Sequence, residues 1–458
     1  MIKTAPLSSR PVLLDGQVSK VLRSMAIPQI SGVLGLILYN LVDTYYVGRL
    51  GRDQLAAMSF TFPVVMVVGA LAQGLGQGAS AVISRTIGEG DNESTKRLAT
   101  HAMLMALVLV FSIATVGVLT IDPLFRLLGA RDDILPYIRD YMEVWYPAVM
   151  FIIMTMVGNH ILRSTGEVRL PAYIMLIAAG LNALLDPLLI FGLGPFPALG
   201  IRGAAVATAI ARSLTLVVSL GLLFFREKLI YLGRGMFSKG WQSFRDIMVI
   251  AAPISGTRLI VPLGAGVVTR LVAQYGTPAV AGYGVAHRME VFALSFVNSL
   301  SVVVGPFIGQ NMGAGRNDRV KEAFAASTKF CFLVGFASFG VFLVIPEPIV
   351  RIFNQDPQVV AAASLYVRVV SAAYAFQGIF MVSTAGLNVL RKPMVAAALG
   401  LIQMFGLTIP LGIVLDRFFG LPGLFGAISA SYVISGLLSF RLTRGVLDQM
   451  MLDMHPSK

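Results

Sequence analysis

Two aspartates stand where a carboxylate is costly. Asp43 lies inside ILYNLVDTYYVGRLG (37–51) and Asp186 inside GLNALLDPLLIFG (180–192), both otherwise apolar runs. A carboxylate at the centre of a bilayer-crossing helix costs about 2.5–3.5 kcal/mol on insertion scales. Tyr39 precedes Asp43 by four residues and Asn40 by three, so one helical face offers a phenol, an amide and a carboxylate. Asn182 precedes Asp186 by four in the same way, and Pro187 frees a backbone carbonyl one turn back. Asn159, in MVGNHILRSTGE, and Thr208, in GIRGAAVATAIA, can join them in one polar pocket. Two carboxylates sharing an apolar pocket cannot both stay charged cheaply. The chemistry implied is reversible neutralisation, by a proton or by Na⁺ held on oxygens of Asp43, Asn182 and Asp186. A plainer role as interhelix hydrogen-bond pins stays open for each of these side chains.

The elements that carry them are membrane helices. Of the 458 residues, 56% are hydrophobic and only 13% charged, about half the charge of a soluble domain, roughly 25%. Apolar runs between charged or Pro/Gly punctuation predict twelve helices. Six lie near 25–48, 54–84, 98–121, 138–162, 170–192 and 200–225, and six near 245–274, 278–310, 320–346, 357–390, 393–415 and 421–445. The expected organisation is a tail (1–24), a first lobe (25–225), a linker (226–244), a second lobe (245–445) and a second tail (446–458). Segments on the side of the termini hold 23 Lys and Arg and the opposite side 9, which places both termini in the cytoplasm. The net charge of +13 thus follows topology and anionic lipid; nucleic acid is not an expected partner. The single cysteine, Cys331, excludes an internal disulfide. The four histidines show no metal-ligand spacing, and no nucleophile–base spacing suggests an enzyme.

The two halves resemble each other. SRTIGEGDNESTKRLATHAML (84–104) aligns with GQNMGAGRNDRVKEAFAASTK (309–329), and VGRLGRDQLAAMSF (47–60) with VAQYGTPAVAGYGV (272–285) at the same offset. Six helices per half make the repeats parallel, related by an axis along the membrane normal. The repeat carries Asp43 onto Val268, and Asp186 onto Thr408 or Ile409. An acid needed only to hold a bundle together would be needed in its twin, so the asymmetry favours function. In the second half the deep charges are Arg258, Arg270, Arg288 and Glu290. Arg288 and Glu290, with Asn40, are candidates to line a substrate path; pairing of Arg288 with Glu290, or snorkelling, is the alternative.

YNLVDTYYVGRLG, LAAMSF, GASAVISRTIGEGD, GLNALLDPLLIFGLG, GIRGAAVATAIAR and IGQNMGAGR together resemble the multidrug and toxic compound extrusion (MATE) family over about residues 20–445. Within it the chain most resembles the DNA-damage-inducible (DinF-like) prokaryotic branch. The resemblance implies an all-α, V-shaped membrane protein of two pseudo-symmetric six-helix bundles, of the kind shared by the wider MOP superfamily. It implies a monomeric antiporter of the inner membrane, without cofactor, exporting organic cations and amphipathic drugs in exchange for H⁺ or Na⁺. By the same resemblance Asp43, Asp186, Asn182, Tyr39, Asn159 and Thr208 match the branch's ion-coupling residues. The family's other large branch has acids in helices seven and ten; PISGTRLIVPLGAGVV and YAFQGIFMVSTAGLNVLR contain none. A lipid-linked oligosaccharide flippase of the same superfamily is the competing reading, carried by the deep arginines.

Overall fold

The computed structural model describes residues 13–231, 233 and 238–454, except for the side chains of 38–41, 52, 55 and 451–454. Among the described residues the regular structure is entirely helical. The helices are α1 (Val18–Gly48), α2 (Arg52–Gly88), α3 (Asn92–Leu119), the short α4 (Ile121–Leu127), α5 (Leu135–Ser164), α6 (Arg169–Phe191) and α7 (Ile201–Gly221). They continue as α8 (Gly240–Ala273), α9 (Thr277–Gly313), α10 (Asn317–Val344), the short α11 (Pro346–Arg351), α12 (Pro357–Val370), α13 (Tyr374–Val389), α14 (Pro393–Leu401) and α15 (Ile409–Met454). Among the described residues, eleven helical stretches are long and apolar enough to cross a bilayer. The last, Pro393–Met450, has 58 residues and is broken at Gly420, whose φ of 63° and ψ of −147° leave the helix. It therefore supplies two crossings, and the total is twelve.

The chain forms two compact units. The first is Ile27–Ser255; the second joins Leu13–Ala26 to the chain from Gly256 on. In the first, α5 is central and packs on α2, α3 and α7, while α6 lies on α7. In the second, α9 and α13 take the central place among α10, α12 and α15. Lipid tails supply no hydrophobic drive between helices, so close backbone approach must hold them. At Gly335 of α10 an added methyl group would run into the backbone of Ala375. Ala251 of α8 likewise sits where a methyl on Gly78 of α2 would go, within the first unit. The second unit is closed by its earliest residues. Leu13 N–H donates to Gln310 Oε1 at 3.1 Å, Asn311 Nδ2 to Leu13 O at 3.1 Å, and Arg319 to Gly16 O at 2.7 Å.

The repeat read from the sequence is written into the turns. Gly51 and Gly276 precede α2 and α9 with φ of 149° and 90°, and Gly90 and Gly315 follow those helices with φ of 75° and 69°. Gly166, after α5, has φ 89°; the repeat places Arg391 opposite it, and Arg391 adopts φ 58°. The second half therefore holds a side-chain-bearing residue in a left-handed turn that the first half gives to glycine.

Candidate functional site

Helix register brings the two aspartates together. Gly32 of α1 packs on Ala172 of α6, and Gly35 on Leu176, so closely that added methyl groups would meet them at 3.3 Å and 2.5 Å. Further along, the Tyr46 and Phe191 rings meet edge to face at 6.3 Å. The numbers rise together, so α1 and α6 run parallel, and Asp43 falls level with Asp186. Their carboxylates stand within electrostatic reach of each other. Asp43 is 7% exposed and Asp186 fully buried.

On α6 the expected i, i+4 pair is made: Asn182 Nδ2 donates to Asp186 Oδ1 at 3.2 Å. Three buried oxygens here have no hydrogen-bond partner among the described residues, namely Asp43 Oδ1, Asp186 Oδ2 and Asn182 Oδ1. Buried acceptors left unpaired are costly, and three of them together suit an electropositive guest. These donors fit a proton or a hard monovalent cation, which takes oxygen ligands. Thr208 reaches the same level from α7. Gly203 abuts the backbone of Leu189 and the intervening turn is closed by Leu199 N–H donating to Leu189 O and Gly200 N–H to Ile190 O, so α7 runs antiparallel to α6 and Thr208, five residues on, lies at about the depth of Asp186.

Asn159 stands elsewhere. Its neighbour Gly158 abuts Ser219 Oγ of α7, where an added methyl would lie 2.8 Å away. Ser219 is eleven residues past Thr208, about 16 Å along the helix. Asn159 is buried with its Oδ1 unpartnered, but at a different depth from the acids. The side chains of Tyr39 and Asn40 lie outside the described residues. Arg212 was not singled out by the sequence reading. It lines a small cavity with Leu36 of α1 and Met175, Ala178 and Ala179 of α6. Its spacing, four residues after Thr208 on one helical face, was the available signal.

The second unit answers these positions with neutral groups. Val268, opposite Asp43 in the repeat, is 2% exposed in an apolar core. Thr408, opposite Asp186, lies in a π-helical segment (Ile402–Thr408) with its Oγ1 2.7 Å from Ser431 Oγ. The second unit does contain one buried acid. Glu290 of α9 is 2% exposed and takes Tyr366 OH on Oε2 at 2.5 Å and Tyr432 OH on Oε1 at 2.7 Å. His287 Nδ1 lies 3.5 Å from Oε2. Arg288, beside it in sequence, is exposed, and among the described residues no lysine or arginine pairs with Glu290. Arg258 and Arg270 are exposed on α8.

Comparison with known proteins agrees with this architecture. The MatE family model matches twice, at residues 28–188 and 253–414. The chain is 35% identical over 447 residues to the FAD transporter of Shewanella oneidensis, covering 96% of this chain and 98% of that one. It is 25% identical over 449 residues to the multidrug export protein MepA of Staphylococcus haemolyticus, covering 96% of each. The crystal structure of the Vibrio cholerae MATE transporter VcmN in the bent form superposes with a TM-score of 0.91 at 29% identity, covering 95% of this chain and 98% of that one.

Proposed function

Because the chain belongs to the multidrug and toxic compound extrusion family of multi-pass membrane transporters, we propose that it is a cation-coupled antiporter of the inner membrane. It moves small organic molecules outward in exchange for H⁺ or Na⁺, with both termini in the cytoplasm. One observation carries this reading: two buried carboxylates share one level of the first unit with unpaired oxygens, while the second unit has Val268 and a hydroxyl pair in their place. Asp43 and Asp186 bind the ion, and Asn182 and Thr208 help to hold it. Tyr39 and Asn159 act at the margins of the same path. Ion binding and release alter the charge buried between α1, α6 and α7, which gives the differential interaction that coupling requires.

For the cargo, cationic or amphipathic drugs are the first reading, supported by the likeness to MepA. A flavin dinucleotide is the second, favoured by the 35% identity to a FAD transporter over nearly the whole chain. The test is transport by purified protein in proteoliposomes under separately imposed pH and Na⁺ gradients, with ethidium and FAD as cargo. Asp43→Asn should insert and fold normally yet lose gradient-driven export. Undiminished export by that variant would overturn the coupling role.

A further inference from the structure

The buried acid of the second unit does not belong to the repeat any more than Asp43 does: the same offset carries Glu290 onto Val65. Its surroundings come from four helices. Tyr283 and His287 lie on α9 itself, Tyr366 on α12, Tyr374 on α13 and Tyr432 on α15, and all five are within electrostatic reach of the carboxylate. Exposed Arg288 also lies on α9 but is not paired with it. Both carboxylate oxygens are occupied by tyrosine hydroxyls that donate to them. The imidazole is different: His287 has 54% of its side chain exposed against 3% for Glu290, and its ring stacks on Tyr283 with centroids 6.1 Å apart. A further buried hydroxyl, that of Tyr374, has no hydrogen-bond partner among the described residues.

From this geometry we propose that His287 and Glu290 together bind one proton, forming a titrating site in the second unit separate from Asp43 and Asp186. The proton resides on the imidazole, the more accessible of the two groups. The carboxylate, which accepts from Tyr366 and Tyr432, supplies the counter-charge. Loaded, the site is a neutral imidazolium–carboxylate pair. Unloaded, it is a buried anion held only by hydroxyls from α12 and α15, which is the costlier arrangement in a low-dielectric bundle. Occupancy therefore acts on the packing of α9 against α12 and α15.

The inference rests on the second unit alone and can fail without affecting the reading of Asp43. The chain has four histidines, so ¹⁵N-histidine-labelled protein in detergent yields few imidazole signals, and His287→Gln identifies the one that disappears. That signal should titrate between about pH 5 and 8. Its midpoint should be displaced by about one pH unit or more in Glu290→Gln and be unmoved in Asp43→Asn. If Glu290→Gln does not fold, Tyr432→Phe, which removes one hydroxyl and no charge, should also displace it. A midpoint indifferent to both Glu290→Gln and Tyr432→Phe, or no titration in that range, would overturn the proposal.

Discussion

Replacing Asn182 with leucine tests the pocket and, by the sign of its effect, the ion. Asn182 contributes in two ways: Nδ2 donates to Asp186 Oδ1 at 3.2 Å, and its own Oδ1 is buried without a partner. A hydrogen bond to a charged group is worth about 1.5–3 kcal/mol, and each 1.4 kcal/mol is about tenfold in affinity. Asn182→Leu should thus change the half-saturating ion concentration by roughly ten- to a hundredfold. The direction depends on the ion. Loss of a donor to a carboxylate makes protonation easier, so less H⁺ is needed. Loss of an oxygen ligand makes Na⁺ binding harder, so more Na⁺ is needed. The assay is initial-rate efflux from proteoliposomes across a pH series at fixed Na⁺ and a Na⁺ series at fixed pH. If neither half-saturating concentration moves by more than about threefold, well below the hydrogen-bond estimate, Asp186 and Asn182 do not hold the ion and the assignment is wrong.

Two further expectations concern stability. Arg391→Gly should raise the thermal midpoint in detergent, because a left-handed backbone costs a non-glycine residue about 1–2 kcal/mol, part of it offset by the greater chain entropy of glycine; Gly166→Ala, the mirror change, should lower it. Asp91 caps α3 by accepting the Ser94 N–H at 2.9 Å, and Asp91→Ala should cost about 1 kcal/mol. The Ser94 hydroxyl and then its backbone N–H hold the Asp91 carboxyl below the ordinary carboxylate range. Its contribution is accordingly complete above about pH 3.9, the unfolded value, and fades as pH falls through the lower folded value. Melts of wild type and Asp91→Ala should converge in acid; a constant gap would show that the charge is not what caps the helix.

What the sequence revealed and what it hid divide along physical lines. Twelve crossings were legible because bilayer thickness fixes helix length, and the break expected between 415 and 421 falls at Gly420 within α15. The Asn182–Asp186 pair was legible because i, i+4 spacing is a property of one helix. Asn159 was another matter. Its depth relative to Asp186 depends on which glycine meets which neighbour across α5, α6 and α7, and spacing along one helix carries no such register. Glu290 was visible, but its partners Tyr366 and Tyr432 lie 76 and 142 residues away. Nor did hydrophobicity mark the buried faces. Phe111 and Leu119 are exposed at 63% and 76%, as lipid permits, so apolar character does not tell a core face from an outer one.

The clasp that Leu13–Gly16 make on Gln310, Asn311 and Arg319 joins residues about 300 positions apart. At ribosomal speeds of roughly 5–20 residues per second, the segment emerges some 15–60 s before its receptor exists. The opening stretch of the chain must therefore wait, solvated or lipid-bound, while the helices after it are inserted, and its docking is a late event of biosynthesis. Among the described parts, the first to be translated is among the last to find its place.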